Sequence, residues 1–268
     1  MHSMCCDNVK PRLVREESCT RLILFTFNKE SVRKVRGVCK LLNAVLPVGA
    51  FLALVAGIAL RVLYALSDGV EDMDSFNVLL YVGLLVASVV LHELAHLWAA
   101  ISYGYPVIEA GVLFENVFAI CFYVTHGSKP NATKAEEIQV ALAGIEANIL
   151  TMGACLIACV LYEAQSTTFY LATFVQMSLV ISNLIPSKEI VDGEVALNTL
   201  FNVKSIYAVA RKWTRSKKQR RKLIRDAGLP GVVCIVLFRV IVFANQMYLT
   251  WNAIIVFGPV LLTLRYCV

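Results

Sequence analysis

A chain of 268 residues, 58% hydrophobic and only 16% charged, with a mean hydropathy of +0.69, holds more apolar residues than a soluble domain of this size can bury. Its composition excludes an ordinary soluble enzyme and defines an integral membrane protein. The net charge of +6 comes in blocks, which bear on orientation.

The first forty residues are polar and basic, with one short apolar run, LILFTF. They lack the ordered n-region, apolar h-region and small-residue cleavage site of a secretory signal, so the first span is expected to act as an uncleaved anchor. Residues 1–40 are read as a basic cytoplasmic segment and 41–268 as a single polytopic membrane domain. A spanning helix needs about 20 mostly apolar residues. Roughly six stretches qualify by this measure: 41–65, 77–102, 138–162, 169–186, 231–247 and 250–265. Only the few residues around QMYLTWN separate the last two, which implies a tight hairpin there.

Lysine and arginine set the orientation. Lys10, Arg12, Arg15, Arg21, Lys29, Arg33, Lys34, Arg36 and Lys40 precede or open the first span, whereas the loop after it, SDGVEDMDSFN, is acidic and has no basic residue. The amino terminus is therefore expected in the cytoplasm. Alternation then puts 187–230 on the same side, and that segment contains RKWTRSKKQRRKLIR.

Between the second and third spans, Gly104 and Pro106 end the helix, and β-branched and aromatic residues follow through 103–137. This stretch is expected to be an extended hairpin or re-entrant segment at the inner membrane face. Either its edge takes an extended peptide as an added strand, or it is a structural hairpin packed on the bundle. After Gly193 an apolar-spaced helix runs into the basic stretch 211–225, within a cytoplasmic segment of about 196–230; its charge suits anionic membrane lipids. Nucleic-acid binding, the other reading of a basic run, is set aside beside so many spans. The expected fold is thus an all-α membrane protein of about six transmembrane helices, with a catalytic core at about 77–195, C-terminal helices at about 231–265 and a short extended segment.

The nine cysteines make no disulfide framework: Cys5, Cys6, Cys19 and Cys39 fall on the reducing side, and no C-x-x-C pair occurs. Cys5 and Cys6 are candidates for acylation. Cys155 and Cys159, one helical turn apart, are read as small residues of a membrane helix rather than half a metal site.

The second span ends in LHELAHLWAA, 91–100. In a helix His92 and His96 share a face and can reach one metal ion, while Glu93 can address a metal-bound water; this is the zinc-hydrolase spacing H-E-x-x-H. Three ionisable groups within five positions of a membrane helix cost about 2.5–3.5 kcal/mol each, and a divalent cation supplies compensation. Catalytic zinc uses three protein ligands and keeps a place for water. The third candidate is Asp192 in NLIPSKEIVDGE, where Pro186 stops the fourth span and turns the chain back and Gly193 frees the backbone.

Three stretches in order, HELAH at 92–96, AGIEAN at 143–148 and NLIPSKEIVDG at 183–193, each on a successive span, resemble the site-2 protease family of intramembrane zinc metalloproteases over about 80–195. The resemblance implies that His92, His96 and Asp192 hold zinc, that Glu93 is the general base, and that Asn148 and Asn183 line the cleft and contact substrate or oxyanion. It also implies hydrolysis of a transmembrane or small peptide substrate. The chain departs from the family pattern at Ile145 and Glu146, in the interval from Asn183 to Asp192, and at Glu194. The altered interval leaves Glu189 and Glu194 as alternative third ligands. Glu146 is read as structural, and His126 as an ordinary loop histidine. A prenyl-protein-type metalloprotease would need a downstream glutamate–histidine pair on a helix, which is missing. The remaining alternative is a metal-binding membrane protein, a transporter or pseudoprotease, without proteolytic activity.

Overall fold

The computed structural model describes residues 12–15, 20–66, 76–115, 119–185, 191–202 and 205, with isolated positions at 240, 244 and 247. The chain divides into two units, Met1–Met177 and Ser178–Val268. Four of the described helices are long and apolar enough to cross a membrane. The expected spans at 231–247 and 250–265, like the basic stretch 211–225, lie outside the described residues.

The first unit opens with strands β1 (Arg12–Arg15) and β2 (Thr20–Thr26). Helix α1 (Lys29–Leu66) follows with Pro47 inside it. It starts twelve residues before the apolar span expected at 41–65, because the basic stretch 29–40 is itself helical: the Asn28 side chain accepts from Glu30 N at 3.0 Å, and Lys34 pairs with Glu30 one turn on at 3.4 Å. Helix α2 (Val78–Tyr103) is capped by Asn77, which accepts from Leu80 N, and ends at Gly104 with φ +81°, a conformation that favours glycine.

Strands β3 (Val107–Glu115) and β4 (Ala119–His126) then form the expected hairpin. The fold is not all-α, however, because β1 and β2 join the hairpin in an antiparallel sheet of order β1-β2-β3-β4. The apolar run LILFTF supplies most of β2, whose Ile23 is buried. Helix α3 (Lys134–Leu161) begins at a capping box in which Thr133 and Glu136 satisfy each other's backbone N–H groups. A 3-10 turn at Glu163–Gln165 leads into α4 (Ser166–Leu184).

The core of this unit lies where α1, α2 and α3 meet: Cys39 and Leu46 pack with Ala95, Ala99, Ala100, Ile101, Val140, Ala143 and Ala147. Large apolar side chains such as Phe51, Leu63 and Leu79 point outward, as lipid contact requires. Helix α3 is the most enclosed, with 39% of its most apolar stretch buried against 22% in α1 and 17% in α2. Glycine lets α1 come close to it: a Cβ at Gly153 would lie 2.6 Å from Leu54 N, and one at Gly57 would lie 2.9 Å from Gly153 O. Two polar ties join α2 to α4 within this unit. Asn77 N donates to Thr168 Oγ1 at 2.9 Å, and the buried Gln176 amide donates to Ser88 Oγ.

The second unit contains the last turns of α4 and the ten-residue helix α5 (Asp192–Phe201), followed by Asn202 in the left-handed region, φ 54°.

Gly153→Val should destabilise the protein by about 1–3 kcal/mol through overpacking against the α1 backbone. Gly83→Val, where nothing among the described residues lies within 4 Å of a new Cβ, should be near neutral. Unfolding in mixed micelles with increasing denaturing detergent compares the two.

Candidate metal centre

His92 and His96 stand one turn apart on α2, where helical spacing puts them on one face. Their rings meet edge to face, with centroids 4.8 Å apart, and their Nε2 atoms face each other at 3.2 Å. Two nitrogens bound about 2.0–2.1 Å from one tetrahedral ion are separated by about 3.3 Å, so the pair already has the separation of two ligands.

Both rings are held from behind by α3. His96 Nδ1 lies 2.8 Å from Val140 O. A carbonyl only accepts, so Nδ1 carries the proton and Nε2 keeps its lone pair. The far nitrogen of His92, Nδ1, lies 3.1 Å from the Asn148 amide. Val140, Gly144 and Asn148 recur every fourth residue and form one face of α3. At the middle position, a Cβ on Gly144 would collide with His96 Nε2 and lie 2.6 Å from His92 Nε2. The imidazoles therefore rest directly on the α3 backbone, which only glycine permits.

In the second unit, Asp192 is the first residue of α5, where the positive end of the helix dipole favours a carboxylate. The next residue explains how the turn closes. A Cβ on Gly193 would collide with the carbonyl of Leu184, and Asn183 O lies 2.9 Å from the same point. The start of α5 thus abuts the end of α4, backbone to backbone. Gly193 lies within the helix, so it serves close approach rather than the backbone freedom expected from sequence. Glu194 is 2% exposed and accepts from Ser205 Oγ at 2.6 Å.

His92 and His96 each offer a ring nitrogen from one face of α2, a pair able to bind a metal ion, and in the second unit Asp192 offers a carboxylate oxygen at the start of α5. Two imidazoles one helical turn apart are suitable ligands for a divalent metal ion. Glu93 sits beside His92 on the same turn of α2 and is half-buried.

The other polar residues singled out from sequence divide clearly. Glu146 accepts from Gln139 Nε2 at 2.9 and 3.1 Å along α3, a structural bond within one helix. His126 packs edge-on to Tyr105 at the base of the hairpin, with centroids 5.3 Å apart. Asn183 contributes its carbonyl to the α4–α5 junction. Glu189 lies outside the described residues. Cys155 and Cys159 are buried free thiols, and Cys159 Sγ donates to Ser166 O at 3.6 Å. Sequence reasoning missed the Val140 carbonyl and Gly144; the four-residue recurrence 140, 144, 148 was the available signal. No family model and no curated protein sequence matches the chain.

Gly144→Ala should push both rings off α3 and weaken any binding of a divalent metal ion there at least about tenfold, within the range for lost support of a ligating histidine. Competition titration with a chelating dye measures it.

Proposed function

We propose that the chain is an intramembrane zinc metalloprotease that hydrolyses peptide bonds of membrane-embedded or membrane-associated substrates. The reading is supported chiefly by the paired imidazoles of His92 and His96, whose Nε2 atoms face each other at 3.2 Å on a chain with four described helices long and apolar enough to cross a membrane; Asp192 is the third ligand in this proposal. The resemblance of the three ordered sequence stretches to site-2 proteases points the same way.

His92, His96 and Asp192 would hold the zinc ion, which when bound would supply a Lewis acid and lower the pKa of water towards neutrality. Glu93 then acts as general base, its carboxylate taking the proton from the attacking water and passing it to the leaving amine nitrogen. The C–O bond forms first, the C–N bond breaks once its nitrogen has taken the proton, and one water is consumed per peptide bond. A structural metal site needs no such base, so Glu93 favours hydrolysis over metal storage.

The scissile bond must be extended, because a helix ties up its carbonyls in internal hydrogen bonds. Strand β4 stands at the edge of the sheet order and offers backbone groups with which an extended transmembrane or small peptide substrate can pair. In this reading the amino terminus is cytoplasmic, with the basic segments facing anionic lipid.

Wild type, Glu93→Gln and Asp192→Asn should be purified, assayed for bound zinc and incubated with a panel of membrane peptides. Glu93→Gln should retain zinc and lose about 10²- to 10⁴-fold in cleavage, while Asp192→Asn should lose zinc. Equal cleavage by wild type and Glu93→Gln would remove Glu93 from the chemistry. Zinc bound by a wild type that cleaves no peptide would instead mark a metal-binding membrane protein without proteolytic activity.

A further inference from the structure

Asn148 is 1% exposed, and its amide nitrogen lies 3.1 Å from His92 Nδ1. Its Oδ1 is enclosed without a hydrogen-bond partner among the described residues. An orphaned carbonyl oxygen in so buried a place is costly, and it points to a second orientation of the side chain.

In the orientation observed, the carboxamide nitrogen can only donate, so His92 Nδ1 must accept and the ring proton sits on Nε2. That proton faces His96 Nε2 across 3.2 Å, and the His96 lone pair receives it, because His96 Nδ1 donates to Val140 O. The bonds form a consistent chain from Asn148 through both rings to α3. In this arrangement, however, the nitrogen of His92 that faces His96 has no lone pair for a metal. Ligation through Nε2 moves the ring proton to Nδ1, which then needs an acceptor. A half-turn about χ2 brings Oδ1 to that place without changing the shape of the side chain.

We propose that Asn148 is a positioning residue whose carboxamide turns with the tautomer of His92. It donates to Nδ1 when the two rings bond each other, and accepts from Nδ1–H when both Nε2 atoms hold an ion. The role differs from the substrate or oxyanion contact that the sequence resemblance implies for this residue, and it rests on the metal-centre reading above.

The test compares zinc affinities of the full-length wild type, Asn148→Asp, Asn148→Leu and His92→Ala in detergent. Asn148→Asp keeps an acceptor towards Nδ1–H and should bind zinc within about threefold of wild type or tighter. Asn148→Leu offers none and should bind about 10- to 100-fold more weakly. In the zinc-loaded wild type labelled with 15N-histidine, His92 should be protonated at Nδ1, a readout that needs no variant to fold. Zinc affinity unchanged in Asn148→Leu, or a His92 protonated at Nε2 with zinc bound, would overturn the role of Asn148 while leaving the metal centre intact. A wild type that binds no stoichiometric zinc, or a His92→Ala that binds it normally, would overturn both.

Discussion

The contact on which the site depends is that of two imidazole rings pressed against a bare stretch of helix backbone at Gly144. Where water does not reach a polar group inside a membrane protein, leaving it unsatisfied costs several kcal/mol. Helix α3 meets that demand for both rings with neighbouring points on one face. The Val140 carbonyl takes the His96 proton, Asn148 meets His92, and Gly144 leaves room between them. With their far nitrogens engaged, the rings cannot turn without breaking a buried bond. Their near nitrogens stay aimed at a common point, as a histidine ligand requires of its supporting shell.

That demand propagates into the packing. For α3 to support α2 so closely it must itself be held firmly, and α1 does this through the Gly57–Gly153 approach and the alanine-rich core. Lipid gives helices no hydrophobic reason to associate, so close backbone packing through small residues and a few polar ties must do it. The Ser88–Gln176 bond lies one turn before His92 on α2 and serves the same purpose towards α4.

Much of this architecture was legible in the sequence, for identifiable reasons. Spans read at 77–102, 138–162 and 169–186 correspond to α2, α3 and α4 within a few residues, because lipid imposes a length and polarity that few other segments meet. The start of α1 was not legible, since a hydropathy reading stops at Lys40 while capping at Asn28 and charge pairing carry the helix on to Lys29. Strand β2 was too short and lay in too basic a setting to be told from a tail; its partner is β3, over eighty residues away, and no local pattern reveals such pairing. At the site, the meeting of His92 and His96 was readable because helical spacing puts residues four apart on one face. Gly144 was not, because its role is to be absent from a space that exists only once α2 and α3 meet.

Asp192 and Glu194 are both acids in the first turn of α5, and sequence spacing alone leaves either as a ligand. Their surroundings separate them. Glu194 is enclosed and takes the Ser205 hydroxyl at 2.6 Å, so the bond that would have to be given up for ligation is short and charge-assisted. Asp192 has the place nearest the helix start, where the dipole supports a negative charge, and Gly193 lets that start press against the Leu184 carbonyl. A larger residue at 193 would force the α4–α5 junction apart and shift the aspartate with it. The Asp-Gly pair thus works as one unit, the glycine fixing where the carboxylate stands. Gly144 does the corresponding work for the imidazoles: in each unit, a missing side chain sets the position of a polar group.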